Sequence, residues 1–281
     1  MTTNTTTLHD AVRTAIIPVI PVIPPPPTTQ APATQRAAVP VSDEVLDRLA
    51  RVSSGSLTTQ LLRRGLRQPV LVGLRPVQAQ PLAFAGRAYT MRFIPAREDI
   101  DTFATLTLQP HPDNLQWMAV EQAGRGDVLV IDSRGDTSAA SMGNMLVSRL
   151  QHRGVRAVVT DGAFRDGSEI AKLGLPAWCA GITATSRLSF HHAADLQVPI
   201  ACAGVAVYPG DVIHGDADGV TVVPAHMAAE LAEVCSAQDD LEAYLVLRIQ
   251  RGEPLWGVYP PSDEARAQYR AWLEAGRPPI V

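Results

Sequence analysis

The sequence has little cysteine, few aromatics and no marked excess of either charge. Its 281 residues include three cysteines, Cys179, Cys202 and Cys235, widely spaced and outside any C-x-x-C. Neither a disulfide framework nor a zinc site is indicated, and a reducing cytoplasm is the expected setting. With 24 Lys+Arg against 28 Asp+Glu, no global field would draw in nucleic acid or an anionic membrane, so neither is an expected partner. Trp117, Trp178, Trp256 and Trp272 are scattered without basic interleaving, which suits core or interface positions and not a base-stacking platform. No run of about 18 apolar residues is free of charge, so no membrane span is expected. Residues 16–23 are cut by Pro18 and Pro21 without a basic segment before them, so no signal peptide is expected either. Also missing are G-x-x-x-x-G-K-[ST], G-x-G-x-x-G after a strand, H-E-x-x-H and G-x-S-x-G. P-loop nucleotide binding, zinc proteolysis and α/β-hydrolase chemistry are therefore not indicated.

What is present is enough apolar character, 46% of the chain, for a sizeable core. Residues 1–40 hold 8 of the 23 prolines, nine threonines and only three formal charges. They read as a polyproline or disordered arm outside the fold. From Ser42 an N-cap followed by Asp43 and Glu44 opens a helix, and Leu57, Leu61 and Leu62 continue helically to a stop at Gly65. Residues 70–74 and 87–94 read as strands, the second ended by Pro95. Residues 127–132 form a short apolar strand, 138–153 a helical pattern closed by Gly154, 155–160 a second strand and 168–173 a short helix. This is a βαβα unit with parallel strands, and the fold class is α/β. Strands near 177–180, 200–207 and 219–223, a helix over 225–250 and an amphipathic stretch at 265–273 follow. The domain plan is an arm over 1–40, a catalytic domain over 41–250 and a tail over 251–281.

In open α/β sheets ligands bind beyond the carboxyl ends of strands. The first such junction offers Asp132, Ser133, Arg134 and Asp136, then Gly143 and Asn144 inside the following helical pattern. The second offers Asp161, Gly162, Arg165 and Asp166. An Arg beside an Asp in a glycine-containing loop suits an oxyanion bound to a divalent metal. An intraloop salt bridge, with Asp161 capping the turn, is the structural alternative. His191 and His192 point different ways if helical, so surface positions are expected for them rather than shared metal ligation. The Asp211, Asp216 and Asp218 series lacks the closing Glu of a calcium loop and reads as hairpin turns.

Three motifs in order, Gly143-Asn-Met-Leu146, then Val155-x-x-Val-Val-Thr-Asp-Gly-x-x-Arg165-Asp166, then Val205-x-Val-x-Pro-Gly-Asp211-x-x-x-Gly-Asp-x-x-Gly-Val220-x-x-x-Pro224, resemble the RraA-like family over about residues 42–250. That family includes 4-hydroxy-4-methyl-2-oxoglutarate / 4-carboxy-4-hydroxy-2-oxoadipate aldolases and RraA regulators of ribonuclease activity. The resemblance implies a β/β/α swivelling-type domain with flanking helices, assembled as a homotrimer or homohexamer with sites at subunit interfaces. It implies a class II pyruvate aldolase with oxaloacetate decarboxylase activity on a small 2-oxo acid, using Mg²⁺ or Mn²⁺. By carry-over Asp166 holds the metal, Arg165 contacts the keto or enolate oxygen, and Gly143, Asn144, Met145 and Leu146 cradle the carboxylate. Many relatives have an acidic residue where this chain has Asn144, which supplies no charge; Asp239, Asp240 or Glu242 of a second subunit are candidates to make it good. A non-catalytic regulator that binds a ribonuclease, and a related sugar-acid lyase or dehydratase, are the alternatives.

Overall fold

A computed structural model describes residues 40–102 and 114–279; the expected arm falls outside the described residues except for Pro40. Chain order opens with α1 (Asp43–Leu49) and α2 (Ser54–Arg63). Both start on serine caps: Ser42 Oγ accepts the Val45 N–H at 3.3 Å and Ser53 Oγ the Ser56 N–H at 3.1 Å. Gly65, at φ 87°, terminates α2 in the left-handed region that favours glycine. Then come β1 (Arg75–Pro76), β2 (Phe84–Pro95), α3 (Leu115–Gln122), β3 (Asp127–Asp132), β4 (Ala140–Met142), α4 (Asn144–His152), β5 (Ala157–Thr160), β6 (Ala163–Phe164), α5 (Gly167–Lys172), β7 (Ala177–Cys179) and β8 (Gly181–Ile182). The remainder is β9 (His191–Leu196), β10 (Ile200–Cys202), β11 (Val205–Val207), β12 (Val212–Gly215), β13 (Val220–Val223), α6 (Ala228–Gln250) and α7 (Asp263–Glu274).

The main sheet runs β1-β7-β5-β3-β2-β12-β13, with β9 antiparallel to the far end of β2. Its centre, β2, β3, β5 and β7, is parallel. Both faces are covered: Leu129 and Ile131 pack with Met91 and Phe93 on one side, Val128 and Val130 with Val159 and Trp178 on the other. Double burial is why these strands read as unbroken apolar runs and not as alternating ones. Helices α1, α2 and α6 close a third cluster around Leu46, Leu57, Leu61, Leu231 and Cys235. All three cysteines are buried free thiols.

One feature of the topology decides where a site can be. The chain leaves the carboxyl ends of β3, β5 and β7, takes a short step, and pairs again as the small parallel sheet β4-β6-β8. Three backbone segments therefore end side by side, at Gly143, Arg165 and Thr183.

Several sequence expectations need correction. Residues 70–74 form no strand; Val70 makes a single bridge to Thr221, and Gly73 at φ 91° turns the chain. The helical pattern over 138–153 begins only at Asn144, because Ala140–Met142 is wholly buried as β4, where apolar spacing no longer separates helix from strand. Residues 200–207 are a hairpin turning at Ala203 (φ 47°) and Gly204 (φ 77°). His191 and His192 lie on a strand, and His191 is fully buried, not a surface residue. α3 and β12 are additions that the sequence did not announce.

Candidate functional site

The step between the two sheets is built from hydroxyls. Ser133 Oγ, Ser141 Oγ and Thr160 Oγ1 lie 2.7, 2.8 and 3.1 Å from one another and are fully buried. Three hydroxyls in a closed ring satisfy one another, each donating to one neighbour and accepting from the other. Thr160 Oγ1 also accepts the Gly162 N–H at 3.0 Å. A Cβ on Gly162 would stand 2.6 Å from Ser133 Cβ, so only glycine lets the chain cross there. Beside the ring, buried Asp161 accepts N–H bonds from Ser133, Gly135 and Ala203 at 2.6, 3.1 and 3.2 Å. Burial pushes its carboxyl above the usual aspartate range; these bonds pull the other way.

Beyond the step the small sheet delivers the polar residues. The Arg165 N–H donates to Met142 O at 3.0 Å, locking the ends of β4 and β6 together. Gly143 is the N-cap of α4 and offers no side-chain cap. The Asn144 N–H donates to Asp166 Oδ2 at 3.3 Å. The Met145 and Leu146 N–H groups, next in the first turn, belong to the set that no helix can satisfy internally, and they lie at its positive end. Arg165 Nε lies 3.5 Å from Asp166 Oδ2, with both side chains more than a third exposed. A Cβ on Gly143 would come within 2.8 Å of Asp166 Oδ2 and 2.9 Å of Arg165 Nε. Asp166 itself is at φ 59°, ψ 35°, a left-handed conformation that aspartate tolerates better than most residues but still at some cost. A guanidinium, a carboxylate and two unsatisfied amides thus meet on one exposed surface. Such a set can bind a carboxylate and stabilise charge on an adjacent oxygen.

Gly143, Asn144, Arg165 and Asp166 are brought together, with Met145 and Leu146 in the adjoining helical turn. The other expected residues of the first junction, Asp132, Ser133, Arg134 and Asp136, are not. Asp132 turns inward and accepts the Arg134 N–H at 2.9 Å. Arg134 and Asp136 form an intraloop pair at 3.4 Å, and Ser138 holds the Asp136 carboxyl below its usual range. His191 stacks on Phe93 and its Nε2 faces Ala139 O at 3.2 Å; His192 Nδ1 lies 2.6 Å from Asp101 Oδ1. Asp216 closes the β12–β13 hairpin, as the turn reading expected, and also binds Ser54. On α6, Asp239 caps α2 through Ser53 and Ser56, Asp240 binds Arg277, and Glu242 accepts from Gln238. The hydroxyl ring and the end of β8 were not anticipated; only their assembly from distant segments reveals them.

Among the described residues no group of three or more His, Cys, Asp or Glu side chains converges on one point. A cation here would have Asp166 as its one carboxylate among the described residues. That fits Mg²⁺ or Mn²⁺, which keep waters and bind through one or two carboxylates plus substrate oxygens. No helix of the described residues is long and apolar enough to cross a membrane.

A family described as RraA-like, Aldolase/RraA, matches residues 37–222. A Halalkalibacterium halodurans protein with the provisional name 4-hydroxy-4-methyl-2-oxoglutarate aldolase is 42% identical over 114 residues, covering 40% of this chain and 53% of that protein. Legionella pneumophila protein DlpA is 25% identical over 232 residues, 82% of this chain and 35% of its own. The chain thus spans about half the length, or less, of these two relatives. Streptomyces coelicolor RraAS2, described as an unusual member of the RNase ES inhibitor RraA protein family, superposes with a TM-score of 0.66 at 31% identity, covering 74% of this chain and 100% of that one. A Pseudomonas syringae structure of unassigned function shares the fold, with a TM-score of 0.69 at 22% identity over 79% of this chain and 96% of that one.

Proposed function

This chain belongs to the RraA-like family, and from that premise we propose that it is a divalent-metal-dependent lyase that cleaves a 4-hydroxy-2-oxo acid to pyruvate and also decarboxylates oxaloacetate. The observation that carries the reading is the meeting of Arg165, Asp166 and the open amides of α4 across Gly143. In this reading the Met145 and Leu146 amides take the C1 carboxylate and Arg165 donates to the C2 oxygen. Asp166 would hold Mg²⁺ or Mn²⁺, which would supply Lewis acidity toward the C2 oxygen.

In the retro-aldol direction the C4 hydroxyl gives its proton to solvent water, and its oxygen becomes the carbonyl oxygen of the departing fragment. The C3–C4 bond breaks, and its electron pair passes into the C2–C3 enolate. The enolate then takes a proton from water at C3 to give pyruvate. Negative charge grows on the C2 oxygen, where a preorganised guanidinium acts without reorganisation cost. Oxaloacetate loses carbon dioxide from the same position and yields the same enolate, so one site serves both. Asn144 meets the Asp166 carboxylate through its backbone N–H, and its neutral side-chain amide does not serve as the base. A homotrimer or homohexamer in the cytoplasm, with the arm of residues 1–40 outside the 41–250 catalytic domain and a 251–281 tail after it, completes the proposal.

The test is calorimetry with oxalate, a planar mimic of the enolate. Binding should need Mg²⁺ and weaken at least about tenfold in Arg165→Ala and in Asp166→Ala, each losing a charge-assisted contact. Binding that is indifferent to metal and to both substitutions would overturn the reading. The second reading is a regulator that binds a ribonuclease; the description of RraAS2 as one of an RNase ES inhibitor family favours it. A chain that ignores oxalate yet retains a ribonuclease on a column would support that reading.

A further inference from the structure

We propose that Thr183, with Ile182, forms the subsite for the far half of the substrate, the Thr183 hydroxyl donating to the C4 oxygen. This rests on the lyase reading and extends it to the fragment that departs. Three parallel strands end in one row. The Arg165 N–H donates to Met142 O at 3.0 Å, and the Thr183 N–H continues the same ladder to Phe164 O at 2.9 Å. Gly143, Arg165 and Thr183 are the residues directly beyond β4, β6 and β8, in that spatial order. Adjacent strands are about 4.8 Å apart. A 2-oxo acid lying along this row, with its carboxylate at the α4 amides and its C2 oxygen at the Arg165 guanidinium beside Gly143, points its C4 toward the third strand end.

The chemistry at the third end suits that position. Thr183 is half-buried, and its Oγ1 accepts the Thr185 N–H at 3.3 Å. Accepting that bond leaves the hydroxyl proton to donate outward. Ile182 is 57% exposed, yet its side chain rests on the residue next to Asp166: a Cβ on Gly167 would lie 2.9 Å from Ile182 Cδ1. An isoleucine held open beside a charged pair offers an apolar wall to an alkyl group at C4, gaining roughly fourfold in affinity per buried methyl.

The two reactions of the site respond to Thr183 in opposite ways. In the retro-aldol the C4 oxygen gains negative charge as its proton leaves, so a donor there stabilises the transition state. In oxaloacetate the C4 carboxylate loses negative charge as carbon dioxide forms, so the same donor stabilises the ground state. Steady-state kinetics of the full chain on 4-hydroxy-4-methyl-2-oxoglutarate and on oxaloacetate, for wild type, Thr183→Val and Thr183→Ser, test this. Thr183→Val, which keeps the shape, should lower kcat for the aldol about 10- to 100-fold with little change in KM, the loss of a hydrogen bond to a charged oxygen. Its decarboxylase kcat should rise together with KM, as a ground-state contact is lost, and Thr183→Ser should restore most of the aldol rate. Equal losses on both substrates, or none on the aldol, would overturn the subsite while leaving the lyase reading intact. A wild type inert on both would overturn the two together.

Discussion

Asp166 Oδ2 crowds the space beside Gly143: a Cβ there would come within 2.8 Å of it. The absence of one side chain lets the carboxylate reach the Asn144 amide and lets Arg165 lie alongside. Gly143 has an extended φ of −123° that any residue adopts, so its role is space and not backbone freedom.

Gly143→Ala should therefore fold normally and fail at the site. The atoms in the way all belong to two side chains, Asp166 Oδ2 at 2.8 Å and Arg165 Nε and Cγ at 2.9 and 3.0 Å, so the clash is relieved by moving those side chains and not the backbone. A displacement of that size costs on the order of 10²-fold in turnover. A melting temperature near wild type with turnover down about 10²-fold is the expected pair of results. Unchanged turnover would show that the Arg165–Asp166 arrangement is not what acts.

Asp166→Gly separates function from stability. Glycine relieves a left-handed conformation that costs a non-glycine residue about 1 kcal/mol or more, and loses some of that gain to chain entropy. The melting temperature should stay within about 3 °C of wild type, and metal-dependent turnover should disappear. A variant that keeps metal-dependent turnover contradicts the assignment of the cation to Asp166.

Thr160→Val opens the hydroxyl ring, leaving the Gly162 N–H and the two serines short of a partner in a buried setting. A loss of about 1–3 kcal/mol in urea unfolding is expected, and Thr160→Ser should recover most of it. A neutral Thr160→Val would mean that the ring does not hold the two sheets in register.

Acid should weaken the fold through two buried histidines. Burial holds His191 and His214 below their usual 6.5; the latter faces Val52 O at 3.1 Å and Ser54 Oγ at 3.5 Å. Below pH 6.5 the unfolded chain binds protons that the native state refuses, so stability rises with pH. The contribution is complete above 6.5 and is lost as pH falls from there toward the lowered native values. Urea midpoints at pH 7.5 and 5.5 should show the decline, and His214→Gln should reduce it. The raised carboxyl of Asp161 acts in the opposite sense, since the native state holds that proton more tightly. A midpoint that does not fall between pH 7.5 and 5.5 would contradict this account.

Much of the fold could be read from the sequence where the signal was local. Asp127–Asp132 is bounded by charges around an apolar run, and Ser42 announces its helix, whereas Ser53, which caps the second, reads only as part of a break in the first. Reading failed where pairing is distant. β9 exists because β2 outruns its other neighbours, and nothing near His191 says so. The β4 segment reads as helix because total burial erases the period that separates the two. In the site, Arg165 and Asp166 stood out as adjacent charges in a glycine loop. Gly143 reads from its spacing as a position inside a helix, whereas its role depends on standing just before one. Thr183 was invisible because its place in the row depends on two strand ends, near Met142 and Phe164, that only folding aligns.

The most direct test of the central claim is pyruvate release from 4-hydroxy-4-methyl-2-oxoglutarate and from oxaloacetate, with Mg²⁺ or Mn²⁺ and again with EDTA, comparing wild type with Arg165→Ala. Release should stop with EDTA and fall about 10²- to 10³-fold without the guanidinium, the scale of losing one preorganised donor to a developing oxyanion. Release no faster than the metal ion alone, or release that Arg165→Ala leaves untouched, would contradict it.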